Sequence, residues 1–189
     1  MTISFPELAD LVRARRTSMM VDRDRDVPPA TVAELCELAT WAPNHKRTWP
    51  WRFALFTGAG RARLGEAFVV DMIATDFGDE GKRVKTLTKY LRTPAILVAG
   101  CAPPLKEGLR ADDRDAVAAG IQNVLLGATA LGLASYWSTP PLADSPEAIE
   151  LCRFEPGTRL VGVIYLGWPN DQLVEVPTRP PVRLEHITD

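Results

Sequence analysis

Two arginines and a hydroxyl residue stand next to each other early in the sequence. Arg15, Arg16 and Thr17 are consecutive, and the planar nitrogen donors of guanidinium groups can meet phosphate oxygens in pairs. The segment is therefore a candidate phosphate clamp. The structural alternative is that these cations follow a predicted helix, where they oppose the negative end of the helix dipole. Taken alone, the three residues favour the structural alternative, and the clamp needs support from elsewhere in the chain.

A second chemically rich segment is bounded by two prolines. Pro43 and Pro50 enclose the sequence Asn-His-Lys-Arg-Thr-Trp, and each proline removes a backbone donor, so the segment is predicted to be a loop. A lone histidine such as His45 is usually a hydrogen-bonded surface residue. Tryptophans beside prolines, such as Trp49 and Trp51 around Pro50, usually pack in a core or a hinge. A functional role depends on what the loop lies beside.

A glycine pair offers a rival interpretation. Gly58 and Gly60 follow a predicted strand and precede a predicted helix, as in a Rossmann phosphate loop. The third glycine of that fingerprint is missing, because Arg63 stands where a small residue is needed for close helix packing. A plain tight turn is the favoured interpretation.

Other function classes lose support from motifs and composition. The sequence has no G-x-S-x-G, G-x-x-x-x-G-K-[ST] or H-E-x-x-H motif, so hydrolase and kinase functions are disfavoured. Two histidines, His45 and His186, and three cysteines without a C-x-x-C pair predict no metal site and no disulfide framework. A net charge of -2 disfavours nucleic acid as a partner. Without an apolar membrane span or a secretory signal layout, no membrane partner is expected and the protein is predicted to be cytoplasmic.

Periodicity and capping signals predict the elements that must position these residues. Ser4 and Glu7, like Thr31 and Glu34, have the spacing of a capping box. The predicted helices cover residues 4–16, a segment from Thr31 onward, 61–75, 79–92, 113–132 and a segment opened by Ser145 and Pro146. The predicted strands cover residues 52–57, 95–101, 135–138 and 160–166.

Two helices precede the first strand, which favours an α+β fold in a single domain over residues 1–189. The helix at 113–132 is small and apolar almost all round, as expected of a helix buried on several sides. Its limited polar surface also predicts a dimer of a 20.8 kDa chain. The apolar, proline-rich tail from Val176 to Asp189 is interpreted as an arm that wraps a partner.

The order of these segments resembles the FMN-dependent nitroreductase family, in particular its small bacterial members, over nearly the whole chain. The markers are Arg15-Arg16-Thr17, Ala42-Pro43-Asn44-His45-Lys46, Pro50-Trp51-Arg52-Phe53, Ala130-Leu131-Gly132, Tyr136-Trp137-Ser138-Thr139 and Tyr165-Leu166-Gly167-Trp168-Pro169. The resemblance implies a three-layer α/β/α sandwich with a central mixed, mainly antiparallel sheet, assembled as an intertwined homodimer with two flavins at the interface.

The same resemblance implies the binding residues. Arg15 and Thr17, with Arg16 beside them, would hold the phosphate and ribityl end of FMN, and His45 would reach the flavin from the partner subunit. Trp41, in a place that is basic in some small members, is also assigned to the cofactor. The residues expected to line the flavin ring are Trp137, Ser138 and Thr139. The residues expected on the nicotinamide side of the pocket are Gly127, Ala128, Thr129, Ala130, Leu131 and Gly132.

The implied activity is a two-electron oxidoreductase that takes reducing equivalents from NADPH or NADH and passes them to a small organic acceptor. A nitroaromatic or a quinone is the expected acceptor, with ping-pong turnover. The flavin carries the chemistry, so no side chain is required as a proton-transfer catalyst. Two alternatives stay open: a non-catalytic flavin-binding or storage protein, and a flavin-free Rossmann-type dehydrogenase.

Overall fold

The computed structural model describes residues 3–106, 108–170, 172 and 176–188. Six helices and four strands follow one another within these residues. The helices are α1 (Phe5–Ala14), α2 (Pro29–Ala39), α3 (Gly60–Ala74), α4 (Glu80–Lys89), α5 (Arg110–Ala130) and α6 (Pro146–Leu151). The strands are β1 (Trp51–Thr57), β2 (Ala95–Cys101), β3 (Ala134–Ser138) and β4 (Arg159–Gly167). Short 3-10 turns cover His45–Arg47 and Tyr90–Arg92.

The four strands form one sheet in the order β1-β2-β4-β3, and every neighbouring pair is antiparallel. The sheet was expected to be mixed, but its only parallel pairing among the described residues is the single bridge between Thr17 and Ser135. Because β1 and β2 are antiparallel, the chain between them is not a βαβ unit, and the Rossmann interpretation of Gly58 and Gly60 is wrong. Gly58 has a φ of +50° and makes the tight turn into α3.

The two faces of the sheet carry separate hydrophobic clusters, as alternation along β2 requires. Leu97 and Ala99 pack on one face, with residues of α2 and α5. Ile96 and Val98 pack on the other, with residues of α3 and α6. All seven residues of β2 are buried, so the prediction of a strand buried on both faces is confirmed.

The central position predicted for α5 is also confirmed. Eight of its residues are buried, and it contacts α1, α2 and three of the strands. Gly120 allows a close approach, because a Cβ there would lie 2.8 Å from the carbonyl oxygen of Ala39 and 3.1 Å from Cδ1 of Trp51. The Trp51 indole N–H donates to the carbonyl of Ala116 at 3.1 Å. The strand that leaves the proline-bounded loop is thereby fixed to α5.

Several predicted boundaries needed correction. The capping box of Ser4 and Glu7 is present, but α1 ends at Ala14 rather than near Thr17. The spacing of Thr31 and Glu34 does not cap α2, which begins at Pro29 without any side-chain cap, because proline suits the first turn of a helix. The cap of α6 by Ser145 is confirmed, since its side chain accepts from the backbone of Ala148.

The cysteines are reduced thiols. Cys101 and Cys152 are buried, and Cys36 is half-buried. Burial raises the pKa of the Cys36 and Cys101 thiols to about 11 and that of Cys152 to about 12. Such thiols remain protonated at neutral pH and are poor nucleophiles. Among the described residues no helix is long and apolar enough to span a bilayer, and no cluster of His, Cys, Asp or Glu could hold a metal ion.

Candidate functional site

The segment that follows α1 lies along the free edge of β3. Thr17 forms a parallel bridge with Ser135, and the Ser18 N–H donates to the Ser135 carbonyl at 2.9 Å. Residues far apart in sequence, the arginine pair and the start of β3, are therefore brought together. This juxtaposition is the centre of the candidate site.

The two neighbouring arginines have different partners. The Arg16 guanidinium donates to the carbonyls of Arg13 and Arg15, so it satisfies acceptors at the C-terminal end of α1. The Arg15 guanidinium lies 3.5 Å from Oγ1 of Thr17 and makes no ion pair with any acid among the described residues. The structural interpretation thus holds for Arg16, while Arg15 and Thr17 remain available for an anion.

A cavity of about 560 Å³ opens beside Arg15. Its lining is rich in positive charge and, among the residues that the structure describes, contains no acid. The lining residues are Val12, Arg13, Arg15, Arg16, Gln122, Val176, Pro177 and Arg179. Four guanidinium groups around one space suit an anion as large as a phosphate monoester, because they supply charge and several donors together. The donor set therefore fits the phosphate end of FMN.

Three polar lining residues were not foreseen as site residues. Arg13 and Gln122 belong to α1 and α5, and Arg179 belongs to the C-terminal tail. The arginine content of the α1 end could have indicated Arg13. No local pattern indicates Gln122 or Arg179, because only the folded chain brings α5 and the tail beside α1.

The expected ring-lining residues lie further along β3 and just beyond it. Trp137 packs over Gly162 of β4, where a Cβ would come within 2.9 Å of the indole Cδ1. About 37% of Trp137 is still exposed. Ser138 is half-buried and Thr139 is exposed. Trp137 thus has a packing role on the sheet and an exposed part on the edge strand that Thr17 joins.

The proline-bounded loop is confirmed as a loop, and most of its residues are exposed in the single chain. His45 is exposed, as are Trp49 at 59% and Trp41 at 76%. The Trp41 indole N–H donates to Oε1 of Glu37 at 2.6 Å, which holds the ring at the end of α2. No residue of the loop lines the cavity beside Arg15.

The segment expected on the nicotinamide side divides into two parts. Gly127 and Ala128 pack inward, and a Cβ at Gly127 would lie 2.7 Å from Cδ2 of Leu35. Thr129 and Gly132 line a second cavity of about 250 Å³, which Arg16 also borders. Ala130 and Leu131, between them, are exposed. The cofactor role of this segment stays a prediction, with Thr129 and Gly132 best placed for it.

The end of α5 explains why glycine occupies position 132. Gly132 has a φ of +79°, in the left-handed region that ends many helices. Its N–H donates to the Thr129 carbonyl at 3.0 Å, and the Leu133 N–H donates to the Ala128 carbonyl at 2.8 Å. These bonds satisfy the last carbonyls of α5 and turn the chain directly into β3.

An ion pair holds the strand that leaves the loop. Arg52 on β1 donates through Nε to both carboxylate oxygens of Glu155, at 3.0 and 2.9 Å. Arg52 also donates to the Trp49 carbonyl at 3.3 Å. The hydrogen bonds from Arg52 lower the pKa of the Glu155 carboxyl. The loop is therefore anchored at its C-terminal end to the turn between α6 and β4.

A larger cavity, of about 730 Å³, shares no described lining residue with the one beside Arg15. Its lining carries Arg110 and Arg153 but also Asp144 and Glu150. Carboxylates repel a phosphate, so this cavity suits the anionic end of a flavin less well than the arginine-lined cavity does.

Comparison with known proteins agrees with this geometry. The YfhC protein of Bacillus subtilis, whose name assigns it to the NAD(P)H nitroreductases, is 29% identical over 178 residues, 93% of this chain and 91% of its own. The crystal structure of a nitroreductase-like family protein from Bacillus cereus is 30% identical, with a TM-score of 0.78 over 96% of this chain and 95% of that one.

Two more distant structures share the fold. A nitroreductase with bound FMN from Bacteroides fragilis has a TM-score of 0.78 at 21% identity, over 96% of this chain and 99% of that one. The FMN-dependent nitroreductase NfnB from Mycobacterium smegmatis, in complex with NADPH, has a TM-score of 0.69 at 21% identity, over 97% of this chain and 100% of that one.

The model of the Nitroreductase family matches residues 12–168, a range that begins just before Arg15 and ends just after β4. The match therefore spans the arginine segment, the proline-bounded loop, α5 and all four strands. With the antiparallel sheet, the buried central helix and the expected segments all in place, this chain belongs to the nitroreductase family.

Proposed function

We propose that this protein is an FMN-dependent oxidoreductase that transfers two electrons from NADPH or NADH to a small organic acceptor. The main supporting observation is the cavity beside Arg15, which four arginines and, among the described residues, no acid line; Thr17, two residues further on, bridges to β3. Membership of the nitroreductase family and its FMN-bound and NADPH-bound fold relatives support the choice of cofactor and donor. A nitroaromatic or a quinone is the proposed acceptor.

FMN, when bound, supplies the two-electron carrier for this reaction. Arg15 and Thr17 would bind its phosphate and ribityl end, with Arg13 and Arg179 adding positive charge. Trp137, with Ser138 and Thr139, would orient the ring along the edge of the sheet. These residues bind and orient, and no side chain is assigned as a proton-transfer catalyst. We propose ping-pong turnover, in which the oxidised nicotinamide leaves before the acceptor enters the same site.

A homodimer is the proposed assembly, within a three-layer α/β/α arrangement whose subunits intertwine. No residue of α1 is buried in the single chain, and its apolar residues Phe5, Leu8 and Val12 are exposed. An amphipathic helix with an uncovered apolar face suits a second subunit. His45 would then reach the cofactor of the other subunit, since no loop residue lines the cavity beside its own Arg15.

An absorbance spectrum of the purified protein, recorded without air before and after addition of NADPH, tests this function. We expect a yellow protein whose flavin bands are bleached by NADPH and restored by a nitroaromatic or a quinone. A yellow protein that NADPH does not bleach, tested also with NADH, would indicate flavin binding or storage. A colourless protein that does not take up added FMN would overturn the proposal.

A further inference from the structure

The proline-bounded loop takes a backbone conformation that its own residues do not favour. Lys46, Arg47 and Trp49 have φ values of 59°, 53° and 54°, in the left-handed region that residues with a Cβ rarely adopt. Three such residues within four positions persist only where surrounding contacts fix them. The loop therefore needs an anchor outside itself.

A chain of three hydrogen bonds supplies this anchor. The Trp49 N–H donates to Oδ1 of Asn44 at 2.9 Å, and Nδ2 of Asn44 donates to Oγ1 of Thr48 at 3.0 Å. The Thr48 hydroxyl in turn donates to the carboxylate of Asp113. Both ends of the Asn44 amide are used, so its orientation is determined. The chain runs from the strained backbone to a residue on α5.

Asp113 is an unusual residue for such a position. It is 1% exposed, in the first turns of the central helix α5. No basic nitrogen lies within 4.0 Å of its carboxylate among the residues that the structure describes. A buried carboxylate without an ion-pair partner is costly, and an apolar residue would suit the core better. Its hydrogen bond to the loop accounts for an acid at this position.

We propose that Asp113 is a positioning residue for the cofactor site. Through Thr48 it fixes the loop so that His45 and Trp49 are presented to the flavin of the second subunit. Because α5 also carries Gln122 of the arginine-lined cavity, one helix connects the loop, which would serve the partner's flavin, with this chain's own phosphate cavity. This inference rests on the proposed function.

Matched substitutions at Thr48 and Asp113 test the proposal on the full-length protein. Thr48→Val removes the hydroxyl with little change of shape, whereas Thr48→Ser keeps it. Asp113→Ala removes the acceptor, whereas Asp113→Asn keeps an acceptor oxygen. The two measurements are amide hydrogen exchange at Trp49 in flavin-free protein and the dissociation constant for FMN by fluorescence titration.

We expect Thr48→Val and Asp113→Ala to speed exchange at the Trp49 amide and to weaken FMN binding, each by about 10-fold, the usual scale for one lost hydrogen bond. Thr48→Ser should stay within about 2-fold of the native protein, and Asp113→Asn should recover most of the loss. If Asp113→Ala fails to fold, the comparison of Thr48→Val with Thr48→Ser still tests the proposal, because Thr48 is only half-buried and both variants should fold.

Equal exchange rates in Thr48→Val and Thr48→Ser would overturn the positioning role. Faster exchange with unchanged FMN affinity would overturn the link to the cofactor. If the native protein itself takes up no FMN, the proposed function fails, and with it the assignment to a flavin site, while the exchange measurement still shows whether Thr48 and Asp113 fix the loop.

Discussion

Thr17 and Ser135, 118 positions apart along the chain, form a parallel bridge at the edge of the sheet. The bridge places the arginine segment that follows α1 against the strand that carries Trp137. Each segment alone has an ordinary structural explanation, since Arg16 caps a helix and Trp137 packs over Gly162. The bridge brings Arg15, which lines the arginine-lined cavity, near the edge strand that carries Trp137, an arrangement that helix capping alone does not require.

Removal of the Arg15 guanidinium should weaken FMN binding without unfolding the protein. We expect Arg15→Ala to lose about 2 kcal/mol of FMN binding energy, close to 30-fold in affinity, because one charge-assisted contact to the phosphate is lost. Fluorescence titration of flavin-free protein measures the change. Arg23→Ala, at an exposed position in the segment between α1 and α2, is the matched control. If Arg15→Ala binds FMN with unchanged affinity, Arg15 has a purely structural role.

His45→Ala distinguishes a surface histidine from a cofactor contact. A surface imidazole should tolerate alanine within about 0.5 kcal/mol of stability and without loss of activity. We expect weaker FMN binding or slower NAD(P)H oxidation instead, with an unchanged far-UV circular dichroism spectrum.

The same variant tests which subunit supplies His45. Mixed dimers of Arg15→Ala and His45→Ala chains should regain one intact site, because each chain supplies what the other lacks. Mass spectrometry of the intact complex would verify that mixed dimers form. Mixed dimers that stay inactive would show that His45 does not act across the interface.

The ion pair between Arg52 and Glu155 should contribute stability that depends on pH. The pKa of Glu155 is lowered in the folded protein from an ordinary value of 4.5, so the contribution is fully present above about pH 4.5. This contribution is lost as the pH falls through the lowered pKa that Glu155 has in the folded protein. Because both side chains are more than a third exposed, the contribution should stay below about 1 kcal/mol.

Urea unfolding of the native protein and Glu155→Gln at several pH values checks this expectation. The difference in unfolding free energy should be largest near neutral pH and should disappear in acid. Glu150→Gln removes the same charge from an exposed position of α6 that makes no ion pair among the described residues, and serves as control. A difference that persists unchanged at pH 3 would contradict the assignment to this ion pair.

Gly162→Ala should destabilise the edge of the sheet where Trp137 packs. A Cβ at this position would lie 2.9 Å from Cδ1 of Trp137 and 3.1 Å from Cδ1 of Ile121. Such overpacking typically costs about 1–3 kcal/mol. Gly81→Ala, in the first turn of α4 with its nearest neighbour at 3.5 Å, should be neutral or stabilising by about 0.5 kcal/mol. Equal denaturation midpoints for the two variants would show that the indole moves aside freely.

Local patterns predicted most elements well, and the successes have clear causes. The bounds of β2 were predicted correctly because a short, unbroken apolar run between Pro94 and Pro103 is typical of a strand buried on both faces. The start of α6 was predicted from Ser145 and Pro146, which act through their own backbone neighbours. The start of α2 was predicted wrongly, because the spacing of Thr31 and Glu34 resembled a cap while Pro29 already occupied the first turn.

The site was predictable only in part. Arg15 and Thr17 were identified from residue type; in the structure Arg15 lines the arginine-lined cavity and Thr17 bridges to Ser135 of β3. Gln122 and Arg179 could not be identified, since their proximity depends on how α5 and the tail pack against α1. Asp113 gave no signal either, because an acid in the first turn of a helix is ordinary until its burial and its contact with Thr48 are seen.

The absence of any buried residue in α1 has a thermodynamic consequence for the proposed dimer. Arg15 directly follows this helix, so a second subunit that covers the apolar face of α1 also stabilises the conformation of the phosphate site. Two binding equilibria that share one element are linked, and the linkage is reciprocal. FMN should therefore tighten subunit association by the same factor by which association tightens FMN binding, and dilution of the protein should release its cofactor.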